Sequence, residues 1–502
     1  MSASNFIRVC VIGQSNAGKS SIIATLFGGI AEENKPVMSP IPGTQLKWGS
    51  YDDKPHAVSE RILLRVHDSP GFQDSVSMLR TLQKEFQFEI DLEKITACSR
   101  REGFHPDDTA AWHIVGESDV ILFVIKVNED PEFAETAKCA LKLLQHCGKP
   151  AIAVFNFLDA GSNTENSGYK EAWITVLKRY SIFWVSDYDA MHRDFAKEKE
   201  LLERIRSIGK PTLNEPQLRN LDTAVSIRIE RENRRIRAYR DQLAALIFGA
   251  ASFRLEKKGI AKDALEAEKE PLLRALKENM MAASEYTKRS IFRLPENDSW
   301  GMKPDTLDFD RMASEDRRRI ETSDIQQQTF SWRDYAKGGL MLTTGVAADF
   351  CGGMGVGTAA ALAVIALFYG QDIVRETYNY RNKTYTLSAS VNQAVLKELI
   401  NIHLEFLTAI RTRGEANGGR LFDAADTGRS ITGGNISRSI PESVRNMILR
   451  TIASYRVASD EPLTAILEKI PQNNRRKNAC GKISECLKQG YPALFAEYKS
   501  GM

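Results

Sequence analysis

From residue 6 to about residue 210 the chain alternates short β-branched or aromatic runs with stretches whose apolar residues recur at helical spacing. The first pattern reads as buried strands and the second as helices laid over them. Strands are predicted at Phe6–Ile12, Leu46–Tyr51, Arg61–His67, Val120–Val127, Ala151–Phe155 and Ile182–Val185. The alternation predicts an α/β unit, a mostly parallel six-stranded sheet with flanking helices, because parallel neighbours need a crossover that is usually helical. Turn residues from Gly209-Lys210-Pro211 to Glu215-Pro216 close this unit, which divides the chain into 1–210 and 211–502.

Beyond that boundary the strand pattern nearly disappears. Leu218 to Lys258 predicts one long helix, and the remainder reads as mainly helical, with loops at 294–316, 414–434 and 471–477. One segment stands apart: Gly338–Gly370 is apolar, carries Asp349 as its only charge, and places Gly338, Gly345 and Gly352 seven apart, on one helical face. As a single helix it would be about 50 Å long with Asp349 in its middle. As a hairpin turning near Gly352-Gly353 its arms suit shallow insertion in a bilayer, and as a soluble pair its glycines permit close packing.

Composition narrows the classes. The 502 residues exceed one ordinary core, and 42% hydrophobic with 26% charged residues excludes global disorder. A net charge of +3 carries no signal for nucleic acid or acidic substrates. The seven cysteines lack paired spacing and the seven histidines lack metal spacing, which fits reduced thiols in a cytoplasm. No export signal is read in the first residues.

The chemistry lies in three loops that follow predicted strands. Gly13-Gln14-Ser15-Asn16-Ala17-Gly18-Lys19-Ser20 fits G-x-x-x-x-G-K-S between a strand and the helical run that begins at Ser21. Backbone N–H groups there cradle phosphates, Lys19 neutralises the β and γ oxygens, and the Ser20 hydroxyl ligates Mg²⁺. Asp68-Ser69-Pro70-Gly71 places a carboxylate near that Mg²⁺ and a glycine N–H near the γ-phosphate. Asn156-Phe157-Leu158-Asp159 keeps the ends of the N-x-x-D pattern in which Asp159 accepts from the guanine N1 and N2 donors, favouring GTP over ATP; Phe157 replaces a lysine and offers a ring to the base. Ser186, after the last predicted strand, is a candidate backbone contact to guanine O6. His67 is either a phosphate neighbour or a strand-end residue.

Met38-Ser39-Pro40-Ile41-Pro42-Gly43-Thr44-Gln45 resembles the corresponding segment of Era-like GTPases of the translation-factor class. That resemblance implies a Mg²⁺ contact for Thr44, with Gln45 standing where a second threonine is usual. Phe72, after Gly71, resembles the hydrophobic replacement of the catalytic glutamine in the same branch, and Asn16 resembles the asparagine that holds K⁺ in several members. Together with Asp68-Ser69-Pro70-Gly71-Phe72-Gln73-Asp74, Cys147-Gly148-Lys149-Pro150 and the segment around Asp349, the chain resembles a bacterial Era-like family with a C-terminal domain of unknown function.

The resemblance implies a GTPase using Lys19, Asn16, Thr44 and Gly71, with Ser20, Thr44 and Asp68 on Mg²⁺ and Gly13, Ser15, Ala17, Gly18 and Ser21 around the phosphates. Its expected partners are GTP or GDP, a membrane surface or membrane protein, and a second copy of the chain, in the cytoplasm or peripheral at the inner membrane. Two alternatives remain: a nucleotide-stabilised scaffold without turnover, and an assembly factor acting on RNA or ribosomes. Arg228, Arg231, Arg234, Arg235, Arg237 and Arg240 bear on the latter, but Glu230, Glu232 and Asp241 interleave with them and only Tyr239 is aromatic. They are read as a solvated helix face, and nucleic acid is not expected.

Overall fold

The structure, a computed structural model, describes residues 5–27, 50–53, 61–87, 89–158, 166–190, 193–294, 374–391, 393–412 and 461–499. Strands β1 (Ile7–Gly13), β2 (Ser50–Asp53), β3 (Leu64–Asp68), β4 (Val120–Lys126), β5 (Ala151–Asn156) and β6 (Val185–Asp187) form one sheet in the order β2-β3-β1-β4-β5-β6. All neighbours run parallel except β2 and β3. Among the described residues the helices of this region are α1 (Lys19–Phe27), α2 (Ser75–Phe86), α3 (Leu92–Ser99), α4 (Pro106–Glu117), α5 (Glu135–Gln145) and α6 (Asn166–Arg179).

Side chains alternate across the strands, so β1 feeds two cores. Ile7, Val9 and Val11 pack with Ile22 and Ile23 of α1, while Cys10 and Ile12 share the other layer with Trp112 of α4 and Leu141 of α5. The strand order reverses at β1, between β3 and β4, and such a switch point opens a crevice at the carboxyl ends of the strands. The predicted α/β unit is thus present.

The last strand is displaced from its expected place. Ile182 bonds back to Leu177 at the end of α6 and Phe183 is exposed, so that apolar run caps a helix, and pairing with β5 starts at Val185.

Helix α7 (Phe195–Gly209) turns through Leu213 into α8 (Glu215–Ser252), which at 38 residues is about 57 Å long. The turn-rich stretch read as a boundary is a reciprocal cap: Asn214 and Gln217 exchange side-chain-to-backbone bonds of 2.9 Å, an arrangement worth about 1 kcal/mol. Leu218, Leu221, Val225 and Ile229 of α8 complete the core against β1, whereas Ile236, Tyr239, Leu243 and Ile247 enter a second core. One helix therefore belongs to both cores.

The second core also contains strands. β7 (Arg254–Ile260), β8 (Val374–Asn379) and β9 (Thr384–Ser390) form an antiparallel sheet, ordered β7-β9-β8, packed against α8, α9 (Leu265–Phe292) and α10 (Gln393–Thr412). The predicted helix therefore stops at Ser252 rather than Lys258, and the near-absence of strands expected after residue 210 is corrected. These strands escape the pattern because most of their residues are polar and half-exposed or exposed. α11 (Leu463–Lys469), α12 (Asn474–Gly490) and α13 (Pro492–Phe495) close this region, so 471–477, expected as a loop, is largely helical.

The arginine stretch on α8 is also corrected. Arg228, Arg235 and Arg240 are buried; Arg228 pairs with Glu198 at 2.9 Å, Arg235 with Glu232 at 3.2 Å, and Arg240 donates to Ser484 at 2.8 Å. Arg234 and Arg237 stay toward solvent with Glu230. Arginine's fork of donors lets it enter a core if carboxylates meet it there. Among the described residues no helix is long and apolar enough to cross a membrane. Gly338–Gly370 with Asp349, and the loops expected at 295–316 and 414–434, lie outside the described residues.

Candidate nucleotide and metal site

The end of β1 builds the first wall. Gly13, Asn16 and Gly18 have φ of 151°, 59° and 84°, and left-handed positions among right-handed ones turn successive N–H groups toward one anion. Gly18 is fixed twice over: besides its φ, a Cβ would sit 2.2 Å from Asn156 Nδ2. Helix α1 then starts at Lys19, so its N-terminus points at the same place. Ala17 is buried, Ser21 is half-buried, and Asn16 is exposed.

Lys19 is 5% exposed and its Nζ donates to Gln14 O at 2.9 Å. Burial lowers its pKa to about 8, against the attraction of Asp68 and Asp107. An anionic phosphate would supply the charge that burial withholds.

The second wall is the loop after β3. Ser69 bonds to Val11 O through both N and Oγ, at 3.3 and 3.0 Å, and Phe72 N donates to Gly13 O at 3.2 Å, which stitches the loop to β1. Asp68 is fully buried and its Oδ2 accepts from Ser20 Oγ at 2.7 Å. A hydroxyl and a carboxylate that close are hard oxygen donors of the type Mg²⁺ takes, so the residues present fit that ion. Thr44, the third expected ligand, lies outside the described residues. Gly71 presses on the P-loop: a Cβ there would be 2.5 Å from Ser15 N and 2.6 Å from Ser15 Oγ.

Two side chains after Gly71 part company. Phe72 is buried and packs on Trp112 with centroids 5.0 Å apart. Gln73 is exposed, and its Nε2 donates to Ser15 Oγ at 2.7 Å. The fully buried Asp108 accepts from Gln73 N and Asp74 N, both at 3.0 Å, while Asp74 Oδ2 accepts from His105 N at 2.7 Å. Burial raises the Asp108 pKa to about 6 despite those two N–H bonds.

The third wall follows β5. Asn156 is 1% exposed; its Nδ2 donates to Ala17 O at 2.9 Å and its Oδ1 accepts from Ala190 N at 3.0 Å. It braces the P-loop against the loop after β6. Phe157, at φ 61°, brings its ring to 3.5 Å from a Cβ at Gly18, and Leu158 N donates to Asp189 at 3.0 Å. Asp159 lies outside the described residues. Ser186 is 2% exposed inside β6 rather than after it, and residues 188–190 follow the strand. His67 is the strand residue: its Nδ1 meets Ser50 Oγ at 2.9 Å across β2 and β3.

Lys19, Ser20, Asp68, Gly71, Ser15, Gly18, Asn156 and Phe157 thus come together from loops far apart in the chain. Gln73, Asp108, Asp189 and Ala190 were not singled out by sequence; for Gln73 the available signal was its place one residue past the phenylalanine.

Residues 8–157 match the family model of the 50S ribosome-binding GTPases. Among solved structures, Era in complex with MgGDPNP and nucleotides 1506–1542 of 16S ribosomal RNA is 18% identical over 52% of this chain and 74% of that chain, with a TM-score of 0.26. An Era variant of Aquifex aeolicus bound to GDP and aluminium fluoride is 18% identical over 51% of this chain and 74% of that chain, with a TM-score of 0.24. No curated protein matches this chain.

Proposed function

We propose, from the premise that residues 8–157 form an Era-like P-loop GTPase domain, that the chain binds GTP with Mg²⁺, hydrolyses it to GDP and phosphate, and passes the nucleotide state to its second half. The observation that carries this reading is the buried Lys19 beside the Ser20–Asp68 pair at 2.7 Å, at the switch point of the sheet. Backbone N–H groups of the P-loop hold the phosphates, Lys19 neutralises them, and the Gly71 N–H meets the γ-phosphate. Mg²⁺ on Ser20, Asp68 and Thr44 would draw charge from the phosphate oxygens. Phe157 and Asp159 select guanine.

The route to the second half runs through α1. Its Leu26 carbonyl accepts from Arg228 Nη1 of α8 at 2.7 Å, and α8 continues into the other core. A membrane or membrane-protein partner engaged by Gly338–Gly370, and K⁺ held by Asn16, are the finer parts of the proposal. Nucleotide bound to the purified protein should be GDP or GTP, and phosphate release should exceed that of Lys19→Ala. Adenine nucleotide in the site would remove the base assignment. Equal rates in Na⁺ and K⁺ would remove the Asn16 role, and failure to float with liposomes would remove the membrane.

A second reading, action on RNA or a ribosome, gains from one observation. Tyr378 meets Tyr380 edge-on and Tyr385 at a tilt, with centroids 4.8 and 4.9 Å apart, Tyr380 is 86% exposed, and Arg375, Arg381 and Lys383 flank them on the β8–β9 hairpin. Rings among cations suit unpaired bases, and this hairpin supplies the aromatic platform that the α8 arginines lack. Nuclease-sensitive co-purification lost in Tyr380→Ala would support it.

A further inference from the structure

Hydrolysis of GTP needs a group that orients water against the γ-phosphorus, and Phe72 does not provide one. Its ring is 2% exposed against Trp112, turned into the core. The next residue has the chemistry that Phe72 lacks. An amide donates and accepts at once, so it can bond a water and a phosphoryl oxygen together.

We infer that Gln73 is the catalytic glutamine of this chain, displaced by one position from its usual place after Gly71. The inference rests on the hydrolase reading and names the residue that completes it. Three contacts carry it. Gln73 Nε2 reaches Ser15 Oγ in the P-loop at 2.7 Å. Gly71 stands against the same Ser15, with no room for a Cβ. The backbone is clasped on both sides, Phe72 N by Gly13 O at 3.2 Å and Gln73 and Asp74 N by Asp108 Oδ2 at 3.0 Å each. The glutamine is therefore exposed, anchored at its root, and delivered to the P-loop residue that Gly71 also meets. In the GTP complex its amide exchanges the Ser15 hydroxyl for the attacking water. The water oxygen bonds to the γ-phosphorus, the bond to the bridging oxygen breaks, GDP leaves with that electron pair, and the water proton ends on the released phosphate.

Single-turnover hydrolysis and GTP affinity of Gln73→Ala test the assignment. The expected result is a rate lower by about 100-fold with GTP affinity within about threefold, the signature of a contact made in the transition state. GDP with aluminium fluoride, which mimics that state, should lose affinity in the variant while GDP alone does not. Gln73→Glu, which keeps length and one acceptor, should recover part of the rate. A wild-type rate and wild-type fluoride complex in Gln73→Ala would overturn the inference and leave the hydrolase reading standing. A change in GTP affinity with an unchanged rate would do the same, marking Gln73 as a brace for Ser15. A wild-type protein that binds GTP and releases no phosphate would overturn both.

Discussion

Two clusters of buried charge lie about one helix apart, and they are built on opposite principles. At the P-loop, Lys19 is buried with a carbonyl at 2.9 Å, and its pKa falls to about 8 because desolvation outweighs Asp68 and Asp107. At the junction of α7, α8 and α10, Arg193 meets Glu198 at 3.1 Å and Glu232 at 3.2 Å, Arg235 meets Glu232 at 3.2 Å, and Arg411 approaches Glu232 at 3.6 Å. Burial again opposes the charge there, yet Arg235, Arg193 and Arg411 together bring Glu232 down to about 2. Glu198 has two arginines, Arg193 and Arg228, and burial still raises its pKa. The number of opposing charges decides the sign. The charges around Lys19 do not offset its burial, whereas the junction offsets the burial of Glu232 from its own chain and ties the sheet region to the helices beyond.

Removing one charge from each cluster should separate these roles. Glu232→Gln leaves the buried Arg235 and Arg193 and the half-buried Arg411 against a neutral amide, with Glu198 still beside Arg193, which should cost about 3–5 kcal/mol, the usual loss when a buried pair is broken from one side. The side chains of Glu232 and Arg193 are each 3% exposed, so solvent offers little relief. Because the Glu232 pKa is depressed from 4.5 to about 2, its contribution is present above pH 4.5 and is lost as pH falls toward 2. Denaturant midpoints for wild type and variant should therefore converge in acid. If they stay parallel from pH 7 to pH 3, the network is not what holds the junction.

Lys19→Ala should do the reverse. Nucleotide affinity should drop by about 100-fold, roughly 3 kcal/mol, while the denaturant midpoint holds or rises, since an uncompensated buried cation has been removed. The cation removed is one whose burial outweighs the attraction of Asp68 and Asp107, and titration calorimetry with GTP and a melt without it read the two sides. A loss of stability comparable to that of Glu232→Gln would end the comparison.

How far each cluster could be read from sequence follows from the same physics. The P-loop and Asp68-Ser69-Pro70-Gly71 are local motifs attached to β1 and β3, which are buried along most of their length and so read as strands. β4 and β5 were legible for the same reason, while β7 and β8 were hidden because exposed edge strands of polar residues have no such run. The junction was misread as solvated. Arginines and glutamates on one helix look like a wet face, and only partners far along the chain, Arg193 and Arg411 for Glu232, take them out of water. Gln73 was hidden by a one-residue displacement.

The smallest of these effects separates two carboxylates rather than two cations. Asp108, on the site side, accepts two N–H bonds and pairs with no arginine among the described residues, and burial raises its pKa from 3.8 to about 6. Its neighbours Asp74 and His105 do not reverse the sign. A carboxylate with a raised folded-state pKa stabilises the fold below pH 3.8 and loses that contribution as pH rises through about 6, the opposite of Glu232. The swing between pH 4 and pH 7 is about 2 kcal/mol, most of the roughly 3 kcal/mol that the whole shift is worth. Asp108→Asn keeps an oxygen to accept from Gln73 N and Asp74 N and cannot ionise, so its midpoint should gain on wild type between pH 4 and pH 7. An unchanged difference across that range would place Asp108 with Glu232, as a charge its surroundings already stabilise, and the contrast between the two clusters would then hold for cations alone.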